Sequence, residues 1–253
     1  MSYEHIKANL NLFAVLRNFE DLPKYDPEAF ELIKQTDEII EFWILGNPSA
    51  YLVFKNGECS YFENYSKSGS IKLFFITPYH FNMMLDNKAY PIPLKGLLKI
   101  NFLQNEFTKI SKRLEYYLKP DDDLLKDNKY IEINTLFTLN TALFAAQILS
   151  VYDPKGKILA SQIPDGIIQI QISSNGPVSH LIIKDGVFKA VKGCVKSPSA
   201  SMFIEDIKVA NDLLNNKIDP FTAIASGDVQ IKGQLPMIDT LSLIFDLIPN
   251  YLS

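Results

Sequence analysis

The feature that most constrains this sequence is an internal repeat. Residues 37–54 form two apolar runs around a Gly-Asn-Pro turn, and residues 165–183 repeat this order around an Asn-Gly-Pro turn. An Asn-Gly pair beginning at Asn56 and an Asp-Gly pair beginning at Asp185 follow, and these two pairs lie 129 residues apart. Because self-similarity at a fixed period indicates a repeated structural unit, the chain is predicted to contain one unit twice.

Each copy is predicted to contain the same order of secondary structure. A leading helix, at 3–19 and at about 131–152, comes first, and Asp26-Pro27 then begins a second helix in the first copy. Glycine after Asn or Asp between apolar runs indicates hairpin turns with positive φ. The predicted strands are 39–45, 50–55, 58–63 and 71–76 in the first copy, and 167–173, 180–184, 187–192 and 199–205 in the second.

A further helix, a fifth strand and an amphipathic closing helix complete each copy. The further helices are predicted at 78–86 and 206–215. An alignment shifted by two residues pairs residues 96–100 with residues 227–231. The repeat therefore predicts two similar domains, residues 1–120 and 126–253, joined by a linker.

Several chemistries are excluded or disfavoured by residue spacing. No two of the eleven glycines lie closer than six positions, so a dinucleotide fingerprint, a P-loop and a nucleophile elbow are absent. No two of the three histidines have the spacing that places two metal ligands on one helix face. Cys59 and Cys194 are too few for a structural zinc site and are interpreted as half-buried free thiols. A Ser–His–Asp triad remains open because its members need not be adjacent in sequence. We expect no metal, no cofactor and no enzymatic activity.

Charge and hydropathy limit the partners. Residues 121–253 contain eleven Lys, fifteen acidic residues and no Arg, which disfavours nucleic-acid binding. Residues 133–152 are uncharged and long enough to cross a bilayer, but three polar residues interrupt them and acidic residues flank them. We interpret this segment as a buried helix.

The N-terminal residues bear on localisation. Glu4, His5 and Lys7 stand where a secretory signal would be apolar, so we expect a cytoplasmic protein. Transient contact with a membrane is left open.

The two closing helices differ in the width of their apolar faces. In the first copy the apolar residues occupy a stripe of roughly 100°, as in a helix that covers one sheet, and in the second they cover roughly twice that arc. The first set is Phe107, Ile110, Leu114, Tyr117 and Leu118, and the second is Met237, Ile238, Leu241, Leu243, Ile244, Phe245, Leu247 and Ile248. The second helix is expected to cover its own sheet and one more apolar partner. That partner is either a ligand or the other copy, and both remain open.

The second copy resembles the sterol carrier protein type-2 family of lipid-binding domains. The resemblance is carried by Pro-Ser-Ala-Ser-Met-Phe-Ile at 198–204, a helix ending in Asp-Leu-Leu at 212–214, and Lys-Ile-Asp-Pro-Phe at 217–221. Ser-Gly-Asp-Val-Gln-Ile-Lys-Gly at 226–233 and the closing helix complete the string. The resemblance implies an α/β (α+β) fold with a curved, mostly antiparallel sheet covered by helices. It also implies a hydrophobic tunnel for a sterol, fatty acyl chain or phospholipid, and no catalytic residue.

The first copy departs from the family pattern. Ala-Tyr-Pro-Ile-Pro at 89–93 replaces a short helix, because Pro93 removes a donor and restricts Ile92. Phe102 stands where the second glycine of the family belongs, so the first domain is predicted to be filled. The ligand is therefore predicted to bind in the second copy, with a lining of Met202, Leu213, Leu214, Met237, Leu241, Ile244 and Phe245.

The function predicted from these observations is the non-catalytic binding or transfer of a hydrophobic lipid. The alternative is an interaction or scaffolding protein whose two copies fill each other's apolar faces, so that the cavities are filled and no ligand binds. The identity of the lipid and the oligomeric state are left open.

Overall fold

The computed structural model describes residues 1–215 and 217–252, and for Phe221 it describes the backbone only. Asn216, Ser253 and the Phe221 side chain of the family motif therefore lie outside the described residues. The chain divides into two compact units, Ser2–Lys119 and Pro120–Ser253, which we call the first and the second unit.

The first unit is built from helices α1–α4 and strands β1–β5. They are α1 (Tyr3–Leu10), α2 (Pro27–Ile33), β1 (Asp37–Ile44), β2 (Ala50–Lys55), β3 (Glu58–Glu63), β4 (Ile71–Phe75), α3 (Pro78–Leu85), β5 (Ile92–Lys95) and α4 (Thr108–Leu118). Shorter helical segments are Asn11–Val15, Leu16–Glu20, Leu22–Tyr25, Leu97–Lys99, Ile100–Phe102 and Leu103–Phe107. The predicted leading helix at 3–19 is thus α1 continued by a π-type turn and a 3₁₀ turn.

The second unit is built from helices α5–α9 and strands β6–β10. They are α5 (Asn128–Tyr152), α6 (Pro154–Gln162), β6 (Gly166–Ile172), β7 (Val178–Lys184), β8 (Val187–Lys192), β9 (Ala200–Ile204), α7 (Ile207–Leu214), α8 (Pro220–Ala225), β10 (Val229–Gly233) and α9 (Leu235–Phe245). Two 3₁₀ turns, Leu124–Lys126 and Ile248–Asn250, complete the described elements.

The two sheets have the same topology. The strand order is β3-β2-β1-β4-β5 in the first and β8-β7-β6-β9-β10 in the second. In each sheet the β1–β4 or β6–β9 pair is parallel and the other neighbouring strands are antiparallel. The predicted α/β class, with two similar domains built from mostly antiparallel sheets and helices, is confirmed.

Local sequence explains where these elements begin and turn. Asn56 and Asp185 both have a φ of 52°, and each is followed by a glycine with positive φ, as a two-residue primed hairpin turn requires. Asp26 Oδ1 accepts a hydrogen bond from the Ala29 amide at 2.9 Å and Asp153 Oδ1 accepts one from the Gly156 amide at 2.6 Å. Both aspartates precede a proline at the first helical position. The helix start at Asp26 is the predicted one, whereas α6, which begins after Asp153, was not predicted from the sequence.

Helix α5 forms the centre of the second unit. Among the described residues it is the one helix long and apolar enough to cross a membrane, and 61% of its most apolar window is buried within the structure. It packs against β8, α6 and α7. Its apolar length therefore serves a protein core, in agreement with the predicted buried helix.

The alignment of residues 96–100 with residues 227–231 is wrong. Gly96 is followed by a 3₁₀ turn, and the fifth strand of the first unit, β5, precedes Gly96. A Cβ on Gly96 would lie 2.9 Å from the Ser70 carbonyl oxygen, and a Cβ on Gly233 would meet the equivalent carbonyl of Ser199. Gly96 therefore corresponds to Gly233, which also removes Phe102 from the position of the second glycine. The two five-residue segments share only a Gly and an Ile, and the second unit has an insertion before its fifth strand that strand pairing reveals.

Candidate ligand-binding site

An apolar row on the helix-facing side of the second sheet becomes exposed towards its edge. Ile170 on β6 lies opposite Met202 on β9, which in turn lies opposite Ile231 on β10. Ile170 is buried, whereas Met202 and Ile231 are half-buried. On either side of Met202 along β9, Ala200 and Ile204 are buried. Because alternate residues of a strand share a face, Met202 marks an opening in an otherwise closed core face.

The equivalent row of the first unit is closed at its centre, although Pro93, its member at the sheet edge, is exposed. Phe42 on β1 lies opposite Leu73 on β4, which corresponds to Met202 and is only 3% exposed. The Phe107 ring lies 6.2 Å from Phe42, 6.3 Å from Phe54 and 5.8 Å from Phe19. Phe102 joins this cluster at 6.0 Å from Phe54. Aromatic side chains therefore fill the region between sheet and closing helix, as close-packed cores do.

The structure distributes the seven predicted lining residues over β9, α7 and α9. Three of them are fully buried, and four are half-buried. The buried residues are Met237, Leu241 and Ile244, and the half-buried ones are Met202, Leu213, Leu214 and Phe245. Helices α7 and α9 both pack against β9, so the two groups lie on neighbouring elements.

The wide apolar face of α9 has a structural explanation within the second unit. Besides β9, α9 packs against α5 and α6. Met237 extends towards β6, where its Cε would lie 3.3 Å from a Cβ at Gly166. Leu243, assigned to the apolar arc from sequence, is half exposed. The second apolar partner expected for this helix is therefore supplied by α5 and α6, and the arc by itself does not indicate a ligand.

Buried asparagines fix the position of α7. Asn211 Nδ2 donates to Asn134 Oδ1 on α5 at 2.6 Å and to Thr135 Oγ1 at 2.9 Å. Asn215 Nδ2 also donates to Asn134 Oδ1, at 3.0 Å. This network secures one face of α7 against α5, while Leu213 and Leu214 remain half-buried.

Two clefts of the described residues lie apart from the predicted site. They have volumes of about 400 Å³ and 320 Å³, and both are lined by residues of the first unit. None of the seven predicted residues lines either of them. The larger one lies beside Val53, Ser60 and the stacked rings of Phe62 and Tyr65.

Ionisable groups with shifted pKa values make structural contacts. Burial raises the pKa of Tyr117 to about 12, and the neighbouring Asp26 carboxylate adds to the rise. Burial also raises the pKa of Tyr61, whose hydroxyl donates to the Leu12 carbonyl at 2.9 Å. In the second unit, a hydrogen bond from Lys217 lowers the pKa of the exposed Asp122 carboxyl. None of these groups belongs to the Met202–Ile231 row.

The histidine and cysteine residues considered from sequence occupy separate places. His180 is buried and its Nδ1 lies 2.8 Å from the Gly193 carbonyl oxygen, which ties β7 to the following loop. Cys59 is buried and Cys194 is exposed, so the prediction that both are half-buried is wrong for each. The exposure of each cysteine therefore follows from the packing around it and could not be read from the residue type.

Sequence reasoning missed Ile231 as a candidate lining residue. It alternates with exposed Gln230 and Lys232 along β10, which is the pattern of a strand with one apolar face. That signal was present in the sequence. Its importance depends on the pairing with Met202, which only the folded sheet provides.

No family model and no curated protein matches this chain. Among solved structures, sterol carrier protein domain 2 of Helicoverpa armigera is 18% identical, with a TM-score of 0.35, over 46% of this chain and 91% of its own. UbiJ-SCP2, a ubiquinone synthesis protein, is 12% identical, with a TM-score of 0.34, over 44% of this chain and 97% of its own.

A Pseudomonas enzyme, the inverting sec-alkylsulfatase Pisa1, is also similar in part. It is 13% identical, with a TM-score of 0.26, over 59% of this chain and 28% of its own. Thus the chain is similar to sterol carrier protein domains and to part of a larger enzyme. Similarity at these levels does not establish its family.

Proposed function

We propose that this chain is a non-catalytic lipid-binding or lipid-transfer protein whose second unit takes a sterol, a fatty acyl chain or a phospholipid. The two units would then be sterol-carrier-like domains, of which the first is divergent and filled. The observation that carries the proposal is the exposure of Met202 and Ile231 on the helix-facing side of the sheet.

The ordered motifs of the second unit add a second line of support. Residues 198–204 contain β9, and residues 226–233 contain the Gly227 turn and β10. The sequence segments that carry the family resemblance are therefore the strands that present Met202 and Ile231. Neither strand places a buried charge in the row.

Ligand entry requires a local rearrangement of side chains. Leu241 and Ile244 are fully buried, so an acyl chain would have to separate α9 from β9 or displace the half-buried residues beside Met202. Methionine suits such a site because its unbranched side chain adapts to different apolar surfaces. Apolar burial would supply the affinity, at about 25 cal/mol per Å² before the costs of association are subtracted.

A scaffolding or interaction protein is the second candidate. The observation that favours it is the close packing of Met237, Leu241 and Ile244, which leaves these predicted lining residues inaccessible. In that case neither unit would take a ligand.

Native mass spectrometry of gently purified protein distinguishes the two functions. Lipid-binding protein should retain a stoichiometric lipid mass, and delipidated protein should bind a fluorescent fatty acid. A protein that shows neither would fit scaffolding. Leu241→Arg, with Leu114→Arg as its counterpart in the first unit, is a severe test because both leucines are buried.

Met202→Glu is the sharper variant because Met202 is already half-buried. A charge in the apolar row should weaken fatty-acid binding at least about tenfold, since an unpaired charge in an apolar site is costly. Ser201→Glu is the matched control because Ser201 is the adjacent, half-buried residue on the opposite face of β9. Circular dichroism verifies that both variants fold. Equal binding by both variants would rule out this site.

A further inference from the structure

The segment 88–100 of the first unit exposes a concentration of apolar side chains. Leu98 is 101% exposed, Tyr90 is 90% exposed and Leu97 is 61% exposed. Leu94 is also half exposed, and every residue of β5 is exposed. These side chains contribute little to the core, and exposed apolar clusters of this kind mark interaction surfaces.

Lysines accompany these apolar residues. Lys88, Lys95 and Lys99 lie within the segment, and residues 87–105 contain no Asp or Glu. Lys99 Nζ pairs with Glu38 at 2.5 Å. Lys95 Nζ donates to the neutral Ser68 hydroxyl, and Lys88 Nζ lies 3.8 Å from Asp86. Lys95 therefore lies beside the exposed leucines without a carboxylate partner among the described residues, and Lys88 forms only a long ion pair.

The backbone of the segment disfavours pairing with another strand. β5 is an edge strand, which normally offers free amide donors to a partner chain. Pro91 and Pro93 have no amide hydrogen, and the pairing of β5 with β4 is irregular between Lys72 and Leu73. Side chains, rather than the backbone edge, are therefore the recognition elements of this surface.

The corresponding part of the second unit has these properties in a weaker form: among its described side chains, Ile224 is 41% and Leu235 is 50% exposed, against 101% for Leu98. Its edge strand β10 exposes Gln230 and Lys232, and Asp219 and Asp228 lie in the residues that lead to it. Helix α8 occupies the region that precedes the strand. The basic and apolar surface is therefore not required by the shared fold.

We propose that the 88–100 segment docks the first unit onto an anionic phospholipid bilayer. Leu94, Leu97 and Leu98 would enter the acyl boundary, and Tyr90 would lie at the level of the head groups. Lys88 and Lys95 would contact anionic head groups, in the combination of apolar insertion and basic charge typical of interfacial segments. The proposal goes beyond the proposed function, because membrane docking does not depend on a ligand in the second unit.

Vesicle flotation tests this docking with the full chain. The protein should float with phosphatidylcholine vesicles that contain phosphatidylserine, and much less with pure phosphatidylcholine. Leu97→Ser/Leu98→Ser should weaken partitioning at least about tenfold, since each leucine loses apolar burial. Lys95→Ala should weaken it about fivefold, and added salt should weaken it further.

Leu235→Ser/Leu243→Ser is the matched control because both leucines are half exposed in the second unit. It should float as the wild type does, and so should Met202→Glu, which separates docking from ligand binding. Equal flotation with both vesicle types, no flotation, or equal loss in the control would overturn the proposal. A wild-type dimer that Leu97→Ser/Leu98→Ser converts to a monomer, without vesicle binding, would instead assign the surface to a second copy.

Discussion

Asn211 on α7 donates a hydrogen bond to Asn134 on α5, with 2.6 Å between Nδ2 and Oδ1, and both residues are buried. Asn82 occupies the equivalent position of α3, 129 residues earlier, and its Nδ2 donates to Glu4 Oε2 at 2.7 Å. The repeat therefore preserves a buried asparagine that links the helix after the fourth strand to the leading helix. The partner differs between units, although the position of the donor does not.

We expect Asn211→Ala to lower the free energy of unfolding by about 1–2 kcal/mol, because Thr135 and Asn134 then lose a buried donor. Asn82→Ala should lower the free energy of unfolding by a smaller amount. Glu4 is half-buried, so water can replace the lost bond, and the buried Asn82 Oδ1 has no partner to lose. Urea unfolding followed by circular dichroism measures both changes. A larger cost for Asn82→Ala would contradict this ranking.

The ion pair between Arg113 and Asp26 should be important for the first unit. Asp26 is 1% exposed, and its Oδ2 accepts a hydrogen bond from Arg113 Nε at 2.7 Å, which joins α4 to the start of α2. We expect Arg113→Met to destabilise the protein by about 2–4 kcal/mol, because a buried carboxylate loses its partner. Lys119→Met is the control, since its pair with Glu115 is exposed and should change stability by less than about 0.5 kcal/mol. If both variants lost the same free energy of unfolding, the Arg113–Asp26 pair would contribute no more than an exposed ion pair.

Stability should fall in alkaline solution. The pKa of Tyr117 is raised from 10.0 to about 12 by burial and by Asp26, so the folded state holds its proton more tightly than the unfolded state does. The resulting stabilisation is complete below pH 10 and is lost as the pH rises through 12. Tyr117→Phe should therefore show a smaller fall than the wild type between these values in chemical-denaturation series. An unchanged pH profile would argue against this residue as the cause.

Glycine substitutions test the corrected repeat alignment. Gly96 and Gly233 have φ values of 89° and 84°, and a Cβ at either would meet the carbonyl oxygen of the serine that precedes the neighbouring strand, Ser70 or Ser199. Gly227 has a φ of 85°, but a Cβ there would meet nothing within 4 Å. We expect Gly227→Ala to cost about 1 kcal/mol for its backbone conformation alone. Gly96→Ala and Gly233→Ala should each cost at least about twice as much. Thermal unfolding of the three variants decides whether Gly96 behaves like Gly233 or like Gly227.

The sequence by itself determined the repeat, the first four strands of each unit and most of the helices, whereas α6 (Pro154–Gln162) was not predicted. The predicted features depend on local chemistry. An Asp-Pro pair caps a helix at Asp26, Asn-Gly and Asp-Gly pairs form hairpin turns, and apolar periodicity separates strands from helices. Such signals act within a few residues of one another, so no knowledge of the folded chain is needed to read them.

Only the tertiary structure decided the placement of the fifth strand and the exposure of the candidate site. Gly96 corresponds to Gly233 because both glycines lie against a neighbouring strand, a contact between residues distant in sequence. Leu73 and Met202 hold equivalent positions in equivalent strands, yet Leu73 is buried and Met202 is partly open. The exposure of each of these residues depends on neighbouring side chains that are distant in sequence. Strand pairing and helix packing determine which side chains become neighbours.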